Sequence, residues 1–112
     1  MADPQALRQL KIKTGVVKRL HKEEGIYADE VTVAQANLEK LKASGADGAD
    51  IRQAERIVAD SQQMIPRTRK QLEEALVALQ DLIAALEEDK AVAGSQEYQE
   101  AVAAAEAVQA AK

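Results

Sequence analysis

The chain has 112 residues, enough for one small domain, and it contains no Phe, Trp or Cys and only two Tyr. Its apolar material is 23 Ala, 10 Leu, 9 Val and 6 Ile, with 30% charged residues; that excludes a disulfide framework or thiolate metal site, argues against an aromatic-filled sheet, and favours long helices or a coiled coil. The formal charge of −4 is unevenly spread, with six basic groups and one acid in residues 1–22 against nine basic and eighteen acidic groups in the remainder, so the N-terminal end can orient an acidic partner.

Helix 1 is expected over about residues 4–43. Asp3 supplies a cap and Pro4 is preorganised for the first helical position. Apolar residues then follow a seven-residue repeat. Leu10, Val17, Val31 and Leu38 form one line (a), interrupted by Glu24; Leu20, Tyr27, Ala34 and Leu41 form the line three residues on (d), interrupted by Lys13. The run Ala43-Ser44-Gly45-Ala46-Asp47-Gly48 reads as a turn.

Helix 2 is expected over about 50–90, with Asp50 and Gln53 as a pair resembling a capping box. Its a line is Ile51, Val58, Ile65, Leu72, Leu79 and Leu86, and its d line Ala54, Ser61, Thr68, Ala75 and Leu82. Pro66 removes a backbone donor inside this run. The heptad phase nevertheless stays in step from Ile65 to Leu72, which predicts one helix kinked at Pro66. Gly94-Ser95 supplies a stop and a new cap for helix 3, about 95–110, which is expected to bury Tyr98, Ala101, Val102, Ala105 and Val108.

These elements predict one all-α domain, an elongated antiparallel three-helix bundle of the left-handed coiled-coil type with a short third helix. Helices 1 and 2 would each reach ~58 Å and helix 3 ~24 Å at 1.5 Å per residue. Helix 3 then covers only part of the pair, and the section around Tyr27–Leu41 and Ile51–Ile65 is expected to approach a two-stranded coil. Counting from the turn puts Pro66 opposite Tyr27, with Gly25 close by. Ile26 and Val33 lie off the seam with their role open; Ile57 and Met64 are expected to belong to a stripe wider than a and d.

Enzymatic signatures fail individually. Lys13-Thr14-Gly15 matches one element of the serine β-lactamases, but none of Ser44, Ser61 or Ser95 is followed by Lys three residues later, and that chemistry needs S-x-x-K. The order of a phosphate-binding G-K-[ST] loop is also absent. His21 is the only histidine, with no cysteine or second histidine to build a metal site. The adjacent acids Glu23/Glu24, Glu73/Glu74 and Glu87/Glu88 do not face each other on a helix, and spacings such as Arg19–Glu23, Arg69–Glu73 and Lys70–Glu74 read as solvated ion-pair faces. A non-enzyme without cofactor or metal is expected. The chain lacks the aromatic platform of a single-strand nucleic-acid binder. Neither a signal-peptide core nor 18 consecutive apolar residues occurs, and the heptads are too narrow for a membrane-surface helix. A soluble intracellular protein is the expectation.

The segment Lys11–Leu20, K-I-K-T-G-V-V-K-R-L, breaks the pattern of the helix containing it. Gly15 falls at f, the position farthest from the helix-2 seam, where Ala would be better by about 1 kcal/mol of helix propensity. Lys11, Ile12, Lys18, Arg19 and Lys22 flank it. A tolerated glycine on a solvated face accounts for this arrangement, and so does a site where a partner surface approaches the backbone.

This segment, together with Met64-Ile65-Pro66, is similar to the tubulin-binding cofactor A family, and the order of elements, the turn position and the length agree across essentially the whole chain. The resemblance implies a three-helix bundle that captures β-tubulin released from the cytosolic chaperonin. It would hold that client until other tubulin-folding cofactors join it to α-tubulin, using neither nucleotide nor metal. It also implies a cytoplasmic, cytoskeleton-associated protein. The candidate β-tubulin-binding residues are Lys11, Ile12, Lys13, Gly15, Lys18 and Arg19, with Arg67, Arg69 and Lys70 as a secondary group. A monomer or weak homodimer is expected; a generic coiled-coil scaffold acting through homo-oligomerisation is the alternative.

Overall fold

Each helix boundary has a local cause in the computed structural model, which describes residues 1–112 and contains α1 (Pro4–Ala43), α2 (Gly48–Leu86), α3 (Lys90–Ala93) and α4 (Gln96–Ala110). At the start of α1, the Asp3 carboxylate accepts the Gln5 N–H at 3.0 Å and the Asp3 carbonyl accepts the Leu7 N–H at 3.2 Å. Pro4 thus sits where a missing N–H costs nothing. The helix ends in a Schellman turn, with the Ala46 N–H on the Leu41 carbonyl at 3.0 Å and the Gly45 N–H on the Lys42 carbonyl at 3.2 Å. That geometry needs a left-handed residue, and Gly45 supplies it at φ +72°.

α2 both starts and stops earlier than the heptads suggest. The Asp47 carbonyl accepts the Ile51 N–H at 3.1 Å, so the helix opens at Gly48. Asp50 lies in its first turn, where a negative charge complements the exposed N–H groups. The helix stops at Leu86 rather than near residue 90. Here the Asp89 carboxylate accepts the N–H groups of Ala91 at 3.1 Å and Val92 at 3.2 Å. This cap opens α3, a separate single turn that carries Val92 into the interior. α3 is thus a short extra turn between the second and third helices of the expected bundle. Ser95 caps α4 as read: its Oγ accepts the Tyr98 N–H at 3.1 Å and donates to the Val92 carbonyl at 2.6 Å. α2 runs unbroken through Pro66. Pro66 and Gln62, four residues earlier, are both exposed, so water can meet the carbonyl that loses its helical donor.

The chain divides into two compact units. Unit 1 comprises Met1–His21 and Gln71–Lys112. Its core joins Leu10, Val17 and Leu20 of α1 to Leu72, Leu76 and Leu79 of α2, Val92 of α3, and Ala101, Ala105 and Val108 of α4. The buried stripe of α4 is Ala101, Ala104, Ala105 and Val108, the i, i+3, i+4, i+7 spacing of one helix face. Tyr98 and Val102 are only half-buried. Thr14 and Leu76 are buried although they lie off the a and d lines. In this unit α1 and α2 bury more than the seam of a helix pair, because α4 adds a third packing direction.

Unit 2, Lys22–Lys70, is a helical hairpin made from the second part of α1 and the first part of α2. Arg69 Nε on α2 lies 3.4 Å from Glu24 Oε2 on α1, so this pair reports the antiparallel register of the hairpin. That register sets Tyr27 opposite Pro66. It also accounts for Glu24 in an otherwise apolar line. Ala54, Val58 and Thr68 are buried here, while Tyr27, Val31, Leu38 and Leu41 are half-buried. The pair of helices thus shields the α2 side of its seam more fully than the α1 side.

Candidate functional site

Within unit 1 the heptad sorts Lys11–Leu20 by direction. Val17 and Leu20 face the core, whereas Lys11, Ile12, Gly15, Lys18 and Arg19 are exposed. Lys11 and Lys18 are seven residues apart, as are Ile12 and Arg19, which places each pair about two turns apart on one face. Gly15 lies between them. A Cβ added there would meet nothing within 4 Å, so no internal contact requires a glycine. Ile12 is 52% exposed, an apolar side chain amid cations. Lys13 differs from Lys11 and Lys18 in being half-buried, in keeping with its place on the d line. Lys18 also borders a narrow groove between α1 and α4, with His21 and Glu100.

Of the secondary group in unit 2, Arg67, Arg69 and Lys70 are all exposed. Arg69 is engaged with Glu24, and Arg67 and Lys70 point to solvent without an ion pair. No set of three or more His, Asp or Glu side chains converges in a way that could hold a metal ion. No helix is long and apolar enough to cross a membrane.

The structure adds a feature that the sequence left undecided. Ile26, Val33 and Ile57 are 44%, 69% and 47% exposed, and they line one open groove of unit 2 together with Asp29 and Glu30. Ile57 was expected inside a widened stripe and is not covered, because nothing in unit 2 packs over that edge of the hairpin. Met64 is half-buried. The sequence signal for the groove was the pair of off-seam residues Ile26 and Val33; the acids on its rim gave no signal of their own.

Comparison with known proteins agrees with this architecture. The family model described as tubulin binding cofactor A matches residues 5–105. The chain is 43% identical over 108 residues to the tubulin-specific chaperone A of Gallus gallus, covering 96% of each protein. It is similar to the crystal structure of tubulin folding cofactor A from Arabidopsis thaliana, with a TM-score of 0.84, 35% identity, and coverage of 96% of this chain and 98% of that one. The human tubulin chaperone cofactor A gives a TM-score of 0.75 at 36% identity, over 93% of this chain and 98% of that one.

Proposed function

This chain belongs to the tubulin binding cofactor A family, and from that premise we propose that it is a tubulin-folding chaperone. In this reading it captures β-tubulin intermediates released from the cytosolic chaperonin and hands them on toward the α/β heterodimer. It meets other tubulin-folding cofactors only through that client. Its work is cytoplasmic, and it acts as a monomer or weak homodimer. Such a role breaks no covalent bond and calls for neither nucleotide nor metal; the residues need only bind, shield and release.

The observation that carries the reading is the exposed face of Lys11–Leu20. Its basic groups stand on a helix that is buried on its other side. Lys11, Lys18 and Arg19 would steer an acidic client surface, an effect that adds more to encounter rate than to residence. Ile12 would contribute apolar contact, and Gly15 would let the client approach the helix backbone. Half-buried Lys13 plays a lesser part. In unit 2, Arg67 and Lys70 would assist, and Arg69 would do so only by leaving Glu24.

The decisive experiment is gel filtration of the chain with β-tubulin newly released from chaperonin. The double variant Lys18→Glu/Arg19→Glu should keep its helical circular dichroism, since both side chains are exposed. Its capture should fall roughly tenfold or more, equivalent to about 1.4 kcal/mol, and the difference should shrink as salt rises. Capture equal to the unmodified chain at low salt would remove the basic face from the mechanism. Homo-oligomerisation in sedimentation equilibrium without tubulin capture would favour the scaffold reading instead.

A further inference from the structure

The groove of unit 2 shares no residue with the basic face of Lys11–Leu20 and carries the opposite charge. Ile26 and Val33 on α1 are seven residues apart and face Ile57 on α2, all three substantially exposed. Single exposed apolar residues are ordinary; three β-branched side chains converging on one groove are not a scatter. Ala34 and Ser61 also line it, and such small side chains let another backbone come close. The charged groups on its rim are Asp29 and Glu30, and no Lys or Arg lines it. Neither carboxylate takes part in an ion pair. In unit 1, α4 supplies a third helix that covers the α1 and α2 segments there. Unit 2 consists of its hairpin alone.

We propose that this groove binds an amphipathic helix of a protein partner, one with an apolar stripe at i, i+3/i+4, i+7 spacing flanked by lysine or arginine. The helical form follows from the host: a furrow between two helices is filled by the ridge of a third. The charge follows from the rim, because the long stems of Lys or Arg can lie along the apolar stripe while their heads reach Asp29 and Glu30. An acidic helix would set like charges together, and a helix lacking apolar residues would leave Ile26, Val33 and Ile57 wet. The inference concerns the chemistry of the occupant and holds whether or not the client is tubulin.

The test uses the full chain, labelled with nitrogen-15, and two synthetic helical peptides of equal length and identical leucine stripe, one flanked by lysines and the other by glutamates. The lysine-flanked peptide should shift the amide resonances of residues 28–37 and 57–61. Val33→Asp, at a site already 69% exposed, should weaken its binding at least tenfold with helicity unchanged, and Asp29→Lys/Glu30→Lys should do likewise. Three results would overturn the proposal. The lysine-flanked peptide could leave those resonances unmoved; the glutamate-flanked peptide could shift them equally; or raising the chain's own concentration could shift them without peptide, which would make a second copy the occupant. Failure of β-tubulin capture in the separate gel-filtration assay would leave this result standing.

Discussion

Replacing Gly15 with alanine separates what the fold needs at this position from what a partner needs. The added methyl would meet nothing within 4 Å, and Gly15 lies on an exposed part of α1 without a positive φ. The substitution therefore brings neither strain nor new packing, and its effect reduces to helix propensity. Alanine exceeds glycine by about 1 kcal/mol in a helix interior. With a slope of about 1–2 kcal/mol per molar urea for a chain of this size, the midpoint should rise by roughly 0.5–1 M. Gly25→Ala is the matched control, since Gly25 is also exposed, on the same helix, with nothing within 4 Å of a built Cβ. Both variants should be stabilised in urea titrations followed by circular dichroism. In gel filtration with β-tubulin, Gly15→Ala should capture less than the unmodified chain while Gly25→Ala captures normally. Destabilisation of either variant would refute the propensity argument. Equal capture by both would show that no client approaches the backbone at Gly15.

Substitutions at three further positions probe the interior and the turn. Leu76→Ala, at a side chain 2% exposed in the unit 1 core, should lower unfolding free energy by about 2–5 kcal/mol in urea titrations. Gly45→Ala should cost about 1–2 kcal/mol, because any Cβ is strained at φ +72° in a left-handed conformation; Gly45→Asn should cost less in the same assay. Thr14→Val replaces a buried hydroxyl without a hydrogen-bond partner by a methyl of similar shape. It should raise the melting temperature, with a gain of up to about 1 kcal/mol as an unsatisfied polar group leaves the core; a fall would show that the hydroxyl finds a partner in solution.

The long helices and most of the core were legible because a heptad encodes a helix pair directly. Leu10, Val17 and Leu20 against Leu72 and Leu79 could be named from spacing alone. Thr14, Leu76, Val92 and Ala104 escaped; Leu76 and Val92 share one core cluster with Ala101, Ala105 and Val108 of α4, a packing direction that no two-helix register contains. The end of α2 escaped for a different reason. In Glu87-Glu88-Asp89 the cap is one acid among three, and only the turn of the chain selects Asp89 to receive two N–H groups. Similarly, the outward face around Gly15 followed from the register, while the groove at Ile57 depended on the absence of a covering element. Sequence periodicity carries no record of what fails to pack.

Two irregularities in α1 show how structure divides one kind of sequence signal. Glu24 places a charge in an apolar line, and Gly15 places a glycine inside a strong helix; on the page they are equal departures from the pattern. Unit 2 explains Glu24, because Arg69 stands 3.4 Å away at the facing position of the hairpin. Its cause is internal, and a mutation there should be read through the hairpin before any partner is invoked. Gly15 has no counterpart of this kind: apart from its chain neighbours and the adjacent backbone of its own helix, nothing comes within 4 Å of a Cβ built there, no turn requires it, and helix propensity opposes it. An explanation from within the fold is thereby closed, leaving tolerance of a defect worth about 1 kcal/mol or contact with another molecule. The capture assay on Gly15→Ala distinguishes those two.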